Sequence, residues 1–561
     1  MLLLLMLAPL AFAGLVLMRP ASHARTVALW GTLVAIAIAI FAAVQFQWDW
    51  AIESDHSSGF QFEYVLEWFP ALGLSVSVGA DPVAMLLILL TALLGPICVL
   101  ASWTAIEERQ KTYFFWLLVL QAFVTGVFAS RDLVMFYVCF EFTLLPLYVL
   151  ISLFGSSNRK AAATKFFLYT FTGSILTLAG LVYVVWFTQQ TTGVWTLDIG
   201  RLTASAATMS LSQQGWVLLA LLAGFAVKVP LFPVHTWLPL AHTEAPTAGS
   251  VVLAGVLLKL GTYGIYRFAL PMAPAALVEY AVPIAVLAII GIIYAGLICW
   301  VQTDVKKLVA YSSVSHLGFC VLGLVALNMA GVSGSIMYMI NHGLSTGALF
   351  LLIGMMYERY HTRSMKEVGG LAAKMPVWAT FMVFFTMASV GLPGLNGFVS
   401  EFMCLLGTFQ SGRDGAWREL ASGGIVGATY GPLGPWFAAV AGTGMIVAAM
   451  YLLYMLGKVV FGPLREPDDH HAHPVLPTDL SAREIGILLP LAALCVGLGV
   501  YPTPVLKTLE SPVRNTIAWV ERHASPVAMP HEGLASEGGD EARGVVLSEG
   551  ETSEHAKGAR P

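Results

Sequence analysis

The stretch LLAGFAVKVPLFPVHTWLPLAHTEAPTAGSVVLAGVLLKLGTYGIYR, residues 221–267, combines two apolar runs with two lysines. Pro230 and Pro233 interrupt the first run just after Lys228, and Lys259 lies near the middle of the second. Proline removes a backbone donor, so a broken helix is expected there. Charged groups at membrane depth are costly and usually serve charge movement. This stretch therefore predicts membrane helices organised around buried lysines.

The composition of the whole chain agrees with this interpretation. Of its 561 residues, 57% are hydrophobic and only 11% are charged, and the mean hydropathy is +0.77. A soluble domain carries about 25% charged residues, so the chain is expected to be a polytopic all-α membrane protein. The small net charge of −4 gives no sign of nucleic-acid binding.

Several site classes are excluded by the motifs that the sequence lacks. The six cysteines lie in apolar runs without a C-x-x-C pair, which indicates small buried hydrophobes instead of a metal or iron–sulfur site. No glycine-rich phosphate loop occurs between a strand and a helix, so no nucleotide-binding domain is expected. The tract DDHHAH, residues 468–473, resembles a metal tract but lies in a polar loop, and no metal site is predicted.

Apolar runs long enough to cross a membrane number about fourteen. The first is expected to be a retained span, because no basic segment precedes it as in a signal peptide. The seventh is broken by the two prolines, and the glycine-rich run GLPGLNG, residues 391–397, breaks the twelfth. The predicted spans are 2–18, 27–47, 81–103, 113–129, 132–154, 163–188, 215–242, 247–269, 276–300, 305–328, 332–357, 377–411, 436–461 and 484–503.

The distribution of basic residues predicts the orientation of these spans. With the N-terminus outside, the inside loops hold about sixteen Lys and Arg residues, Lys306, Arg359 and Arg363 among them, against about five outside. The acidic loop 48–80 then falls outside. Both termini are therefore predicted on the outside.

The two broken spans are five spans apart, which predicts two five-helix repeats of opposite orientation. Residues 507–524 carry apolar residues at helical spacing and are expected to form an amphipathic helix, whereas the chain after Ser525 has the composition of a disordered acidic tail. The predicted divisions are 1–110 for the first three helices and the acidic loop, 111–270 for the first repeat, 271–462 for the second, 463–506 for an inside loop and the last helix, and 507–561 for the amphipathic segment and tail.

Glu141 lies in the predicted fifth span, where a carboxylate costs about 2.5–3.5 kcal/mol on an insertion scale. Lys228 is its natural counter-ion, since both belong to the first predicted repeat. One interpretation is a static ion pair that fixes helix packing. The other is a pair that opens and closes and thereby changes how tightly the lysine holds its proton.

Further ionisable residues continue the pattern on other predicted spans. Lys259 has no acidic neighbour three or four residues away, and His316 stands among serines in a tenth span that could hold water. Glu401 follows the glycine break and is the candidate exit group. Five groups on five spans predict an intramembrane proton path. A weaker candidate is His342, which a hydrogen-bonded core position also explains. His235 and His242 are weaker candidates too, and either could gate the path or merely cap a helix.

The motifs around these residues resemble the antiporter-like subunits of respiratory complex I, NADH-quinone oxidoreductase, and in particular the chain M branch, which is similar to mitochondrial subunit 4. The matching segments extend over about residues 80–460. Glu401 favours this branch, because L-like and N-like members usually carry lysine there. Leu240 departs from the aspartate that many bacterial relatives have. The segments are FEFTLLPLY, KVPLFPVHTWLP, AHTEAPTAGSVVLAGVLLKLG, DVKKLVAYSSVSHLG, NHG and GLPGLNGFVSEF.

The resemblance implies a fourteen-helix fold with inverted repeats in a bacterial inner (cell) membrane, in contact with lipid and with L-like and N-like antiporter-like subunits. It also implies that NADH, FMN, iron–sulfur clusters and quinone belong to other subunits, with no cofactor or redox centre in this chain. The expected function is proton translocation from the Glu141–Lys228 pair through Lys259 and His316 to Glu401. The alternatives are a multisubunit cation/proton antiporter, an energy-converting hydrogenase, or a scaffold whose buried charges only fix packing.

Overall fold

The structure is a computed structural model of the chain. The residues that it describes are 1–48, 59–69, 73–412, 429–467 and 478–524. All the predicted membrane spans fall in these ranges. The histidine-rich tract at 468–473 and the predicted acidic tail lie outside the described residues.

Helices make up most of the described chain, and the polytopic all-α class is confirmed. Twelve helical stretches of the described chain are long and apolar enough to cross a membrane, where Leu133–Phe154 and Thr247–Met272 each count as one stretch although they contain several of the helices below. Two shorter apolar helices occupy the predicted first span and the first half of the twelfth. The predicted total of about fourteen spans stays a prediction. In chain order the α-helices are α1 (Leu2–Met18), α2 (Ala24–Gln45), α3 (Pro82–Ala101), α4 (Gln110–Ala129), α5 (Leu133–Phe142), α6 (Leu144–Phe154), α7 (Arg159–Thr192), α8 (Ile199–Ala206), α9 (Leu211–Lys228), α10 (Trp237–Glu244), α11 (Thr247–Val252), α12 (Leu258–Gly264), α13 (Leu270–Met272), α14 (Pro274–Trp300), α15 (Val305–Val325), α16 (Met329–Tyr360), α17 (Pro376–Val390), α18 (Asn396–Gln410), α19 (Pro435–Val459), α20 (Ala482–Val500) and α21 (Thr503–Ala524).

The predicted seventh span is broken where the prolines stand. Helix α9 ends at Lys228, and the chain runs without regular helix until α10 begins at Trp237. Pro230 has a φ of 30°, which no α-helix accommodates. The fully buried Trp237 donates its indole N–H to the carbonyl of Val227 at 2.9 Å, so one side chain joins the two halves across the break.

The predicted twelfth span is broken as well. Helix α17 ends at Val390, Gly391 and Gly394 adopt φ values of 84° and 92°, and α18 begins at Asn396. Left-handed conformations of this kind are readily open only to glycine. The glycine run therefore ends one helix and allows the next to start within a few residues.

Helix α12 carries a feature that the sequence did not predict. It lies between two π-helical segments, Leu253–Leu257 and Ile265–Ala269. Such wide turns are rare and often occur at functional sites, because they displace side chains from regular helical positions. Lys259 stands in the short α-helical piece between them.

The loop predicted at 48–80 contains an antiparallel hairpin of β1 (Gln61–Phe69) and β2 (Leu74–Ala80). Just before it, the Phe60 ring lies 4.7 Å from the guanidinium of Arg131 and 5.0 Å from that of Arg267. Arg267 also forms an ion pair with Asp81 at 2.5 Å, so this basic residue is not a free loop charge. A second strand pair is short and parallel, β3 (Ser411–Gly412) with β4 (Thr429–Tyr430).

The predicted amphipathic segment forms helix α21. Leu509, Val513 and Val520 on one face are at most 2% exposed. Trp519 donates its indole N–H to the carbonyl of Pro271 at 2.9 Å. The helix is therefore packed against the protein through its apolar face.

The helices that carry the most polar residues lie at the centre. Those at Thr247–Met272 and Met329–Tyr360 are buried along their whole apolar stretch, whereas 28% of the corresponding stretch of Ala482–Val500 is buried. Central helices need no apolar outer face, so they can hold ionisable groups away from lipid. The division into two inverted repeats stays a prediction.

Candidate functional site

The carboxylate of Glu141 on α5 accepts a hydrogen bond from the hydroxyl of Ser174 on α7. Lys228 is the last residue of α9, where the helix dipole favours a cation, and it is 2% exposed. Its Nζ donates to Thr143 Oγ1 at 3.3 Å and lies 4.1 Å from the centroid of the Phe140 ring. An oxygen and an aromatic face thus surround this buried ammonium group.

The expected Glu141–Lys228 ion pair is not closed in this structure. Among the described residues, no nitrogen–oxygen contact within 4.0 Å joins the two side chains. They are nevertheless near enough to interact electrostatically. Thr143, two residues after Glu141, supplies the oxygen that the lysine contacts.

Lys259 on α12 is fully buried, and its partners are not acidic. Its Nζ donates to the carbonyl of Ala254 in the preceding π-helical segment. The same Nζ lies 2.8 Å from Nδ1 of His342 on α16. His342, predicted only as a weaker candidate, therefore lies directly beside the central lysine.

A glycine on α16 makes this contact possible. A Cβ atom on Gly343 would lie 2.8 Å from the carbonyl oxygen of Gly255, a distance that real Cβ atoms essentially never show. The backbones of α16 and the first π-helical segment can approach only because Gly343 has no side chain. Their close approach brings His342, the preceding residue, within reach of Lys259.

His316 on α15 continues the path from the histidine on α16. The ring centroids of His316 and His342 are 6.0 Å apart. Nδ1 of His316 lies 2.8 Å from the hydroxyl of Tyr338, which in turn donates to Oε1 of Glu401 at 3.4 Å. The structure therefore brings four of the predicted or weaker candidate residues close together, and one tyrosine joins the last two of them.

One step in this series has no hydrogen bond. Nε2 of His342 is buried without a hydrogen-bond partner in the part of the chain that the structure describes. Lys228 likewise has no hydrogen bond to Lys259 among the described residues. The geometry thus divides the predicted path into a Glu141–Lys228 part, a Lys259–His342 part and a His316–Tyr338–Glu401 part.

An asparagine network positions Glu401 at the glycine break. Asn341 on α16 donates from Nδ2 to the carbonyl of Asn396 at 2.7 Å and to Ser400 Oγ at 3.1 Å. Asn396 returns a hydrogen bond to the carbonyl of Asn341 at 3.2 Å. Glu401 follows Ser400 directly, so these bonds hold its helix against the helix that carries Tyr338.

His242 and His235 stand apart from this series. His242 is fully buried, stacks on Phe350 with ring centroids 4.6 Å apart, and has no hydrogen-bond partner on either ring nitrogen among the described residues. It interacts electrostatically with Lys306 and Lys259. His235 lies in the break between α9 and α10 and stacks on Phe232. Among the described residues, its side chain has no hydrogen bond to the central residues.

Lys306, one of the basic residues predicted on the inside, is buried at the start of α15. It is 7% exposed, and its Nζ donates to the carbonyl of Ala245 at 2.5 Å. Asp304 caps α15 by accepting from the backbone N–H of Lys306, which starts the helix and turns the lysine inward. Arg359 is also buried, in a two-point ion pair with Glu484.

A cavity of about 520 Å³ lies beside Lys306. Glu244, Glu358 and Arg363 also line it, together with loop residues that the sequence analysis predicted to be inside. It is wide enough for many water molecules. Within the described ranges, no group of three or more His, Cys, Asp or Glu residues could hold a metal ion.

Comparison with known proteins decides the family. Residues 130–420 match the family model described as NADH:quinone oxidoreductase/Mrp antiporter, TM, and residues 1–126 match NADH-ubiquinone oxidoreductase chain 4, amino terminus. NADH-quinone oxidoreductase subunit M of Rhodobacter capsulatus is 39% identical over 500 residues, which cover 88% of this chain and 90% of that protein. The chain belongs to the subunit M and chain 4 family of NADH-quinone oxidoreductase. The resemblance inferred from its motifs is thereby confirmed.

Further relatives and solved structures are also similar to this chain. NADH-ubiquinone oxidoreductase chain 4 of Marchantia polymorpha is 37% identical over 91% of this chain and 96% of its own. A chain of respiratory complex I from Thermus thermophilus has a TM-score of 0.78 and 27% identity, covering 94% of this chain and all of that one. A chain of the Mrp complex from Dietzia sp. DQ12-45-1b shares the fold, with a TM-score of 0.74 at 21% identity, over 93% of this chain and 99% of that chain. The subunit M-family chain is an antiporter-like membrane subunit of complex I.

Proposed function

We propose that this chain translocates protons through its buried Glu, Lys and His residues, driven by redox chemistry in other subunits. The observation that carries the proposal is the buried series Lys259, His342, His316, Tyr338 and Glu401, in which all steps but one are hydrogen bonds. Buried ionisable groups in contact across different membrane helices are typical of proton relays. A static packing role does not require a series of proton donors and acceptors.

The Glu141–Lys228 arrangement supports a switch ahead of this series. Lys228 donates a hydrogen bond to Thr143 in this structure. Glu141 is near enough to interact electrostatically with Lys228, but no ion pair joins the two among the described contacts. When the lysine loses the carboxylate's charge, its protonated form loses stabilisation and its proton passes towards Lys259. His342 and His316 then relay a proton to Glu401, which releases it.

The cavity beside Lys306 supports proton uptake from the side that the basic loops predict as inside. His242 interacts electrostatically with Lys306, Lys259 and His342. Protons taken up here reach Lys259 from the inside. Both termini lie on the outside of a bacterial inner membrane in this orientation.

The family extends the proposal to partners and cofactors. We place the chain in a multisubunit membrane assembly beside L-like and N-like subunits, with NADH, FMN, iron–sulfur clusters and quinone bound elsewhere. The divisions 111–270 and 271–462 are the two repeats in this proposal, each with a broken helix at α9–α10 and α17–α18 respectively.

The test uses the assembled enzyme in proteoliposomes, with quinone reduction and proton uptake measured together. The variants Glu141→Gln, Lys259→Ala and Glu401→Gln should lower the number of protons moved per electron. Lys307→Ala, which removes an exposed lysine next to Lys306, is the matched control and should pump normally. Normal stoichiometry and rate in all three variants would show that the buried charges serve packing alone.

A cation/proton antiporter is the second candidate, because the matching family model also covers Mrp antiporters and the fold is shared. The same proteoliposomes discriminate between them. Sodium-dependent proton movement without NADH oxidation favours the antiporter. Purification of the native assembly separates both from an energy-converting hydrogenase by the partner subunits found.

A further inference from the structure

Two tyrosines flank His316, one at each ring nitrogen. The hydroxyl of Tyr338 on α16 lies 2.8 Å from Nδ1, and the hydroxyl of Tyr451 on α19 lies 3.5 Å from Nε2. Tyr338 continues to Glu401 Oε1 at 3.4 Å. All four side chains are at most 4% exposed, so no bulk water competes for these contacts.

The number of protons in this cluster restricts its hydrogen-bond directions. A neutral imidazole has one donor and one acceptor nitrogen, and a tyrosine hydroxyl has one proton to donate. An ionised Glu401 only accepts, so it takes the proton of Tyr338 as donor. The oxygen of Tyr338 must then accept from an Nδ1–H of His316, and Nε2 accepts from Tyr451.

Protonation of Glu401 reverses the direction of every hydrogen bond in this cluster. Its O–H donates to Tyr338, the hydroxyl of Tyr338 donates to Nδ1, and Nε2–H of His316 donates to Tyr451. Ser312 and Ser315, which also lie beside Tyr451, donate their own protons to the carbonyls of Val309 and Ile292. With those protons used, the serine oxygens can only accept from Tyr451. The hydroxyl of Tyr451 therefore donates to Nε2, or it donates to a serine and accepts from Nε2–H.

We propose that Tyr338 is the relay residue between His316 and Glu401, and that Tyr451 is a positioning residue that selects the tautomer of His316. This inference rests on the proposed proton-translocating function. In the step, doubly protonated His316 loses the proton on Nδ1 to the oxygen of Tyr338. At the same time Tyr338 passes its hydroxyl proton to the carboxylate of Glu401.

The step balances in protons and charge. One N–H bond of His316 breaks and one O–H bond of Glu401 forms, while Tyr338 holds one proton before and after. His316 ends neutral with its proton on Nε2, the form that donates to Tyr451. The contacts at 3.4 and 3.5 Å are long, and relay contacts of this kind often tighten only in the reacting state.

The test compares Tyr338→Phe and Tyr451→Phe with Glu401→Gln in the assembled enzyme. Phenylalanine keeps the ring and removes only the hydroxyl. Tyr113→Phe is the matched control, because Tyr113 is equally buried and its hydroxyl contacts only Ser102 at 2.8 Å among the hydrogen bonds of the described residues. The readouts are protons pumped per electron and the infrared carboxyl band that disappears in Glu401→Gln.

Tyr338→Phe should slow proton transfer through this subunit about tenfold or more, within the range of a lost acid–base group. It should also shift the Glu401 band, which a merely structural role would leave in place. Tyr451→Phe should shift the band less, and Tyr113→Phe not at all. If Tyr338→Phe does not assemble, fluorotyrosine at position 338 keeps the packing and should shift the same band.

Two results would overturn the relay and leave the rest of the mechanism intact. Normal pumping and an unchanged band in Tyr338→Phe, with pumping lost in Glu401→Gln, would exclude Tyr338. An unchanged band with fluorotyrosine would do the same. If Tyr338→Phe, Glu401→Gln and Lys259→Ala all pump normally, the result instead contradicts the proposed function itself.

Discussion

Nζ of Lys259 on α12 and Nδ1 of His342 on α16 are 2.8 Å apart in a fully buried position. The partner of the central lysine is thus a histidine on another helix and not a carboxylate. A protonated lysine donates to this nitrogen, so the proton has a direct acceptor. No charged counter-ion needs to move for the proton to leave Lys259.

Replacement of His342 by leucine removes that acceptor. We expect His342→Leu to lower protons pumped per electron to about the level of Lys259→Ala, since both interrupt the same step. Proteoliposome pumping measures this. His23→Ala, which changes an exposed histidine, is the control, and pumping in His342→Leu equal to that control would contradict the step.

Gly343→Ala tests whether close backbone packing holds the two groups together. Its Cβ would lie 2.8 Å from the carbonyl oxygen of Gly255, which cannot move away as a flexible side chain can. We expect a cost of about 1–3 kcal/mol and weaker pumping. Thermal unfolding and pumping of the assembled enzyme are the measurements.

Gly347→Ala is the matched control one turn along the same helix, where the nearest atom to a Cβ is Val251 Cγ1 at 3.8 Å. It should keep full activity and stability. Equal behaviour of the two variants would mean that the approach of the helices does not depend on Gly343.

Gly391→Ala should perturb Glu401 directly. Gly391 has a φ of 84°, and a Cβ there would lie 2.9 Å from Oε2 of Glu401. Gly394→Ala has the same kind of strain, with a φ of 92°, but nothing lies within 4 Å of its Cβ. Each should cost about 1–2 kcal/mol in strain, and only Gly391→Ala should also lower pumping. Protons pumped per electron are measured for both variants, and equal values would exclude an effect of the contact with Glu401.

The buried ion pair at the end of α16 has a structural role. Arg359 contacts both carboxylate oxygens of Glu484, at 2.9 and 2.8 Å, and the two side chains are 5% and 3% exposed. Arg359→Met leaves a buried carboxylate unpaired and should cost about 3–5 kcal/mol. The midpoint of thermal unfolding measures the loss.

A more exposed pair serves as its control. Lys374 and Glu466 form an ion pair at 2.5 Å with the lysine 42% exposed, so Lys374→Met should cost about 1 kcal/mol or less. The double variant Arg359→Met with Glu484→Leu should recover most of the stability. If the double variant does not recover thermal stability, lost packing causes the destabilisation in Arg359→Met, and the unpaired charge does not.

Much of the fold and part of the site were predictable from local sequence. The prolines after Lys228 and the glycines before Asn396 predicted both helix breaks, because each residue type changes the backbone directly. The contact of His342 with Lys259 and the burial of Lys306 could not be predicted, for one reason. Sequence position does not tell which neighbouring helix a side chain faces.

The role of Tyr338 could not be predicted from local sequence either. Tyr338 precedes His342 by four positions on α16, and this spacing places both side chains on one face of the helix. Nothing local indicated that His316 and Glu401, on two other helices, flank its hydroxyl. That signal becomes usable only when the packing of three helices is known.

The sequence by itself determined a polytopic helical membrane protein, its two broken helices, its family, and the five ionisable residues that apolar spans rarely carry. These follow from composition, backbone chemistry and motif, all of which are local. Only the tertiary structure decided that Lys259 meets His342, that Lys228 contacts Thr143, and that Tyr338 joins His316 to Glu401. Such contacts join residues far apart in the chain, and they exist because the helices pack closely around a polar centre.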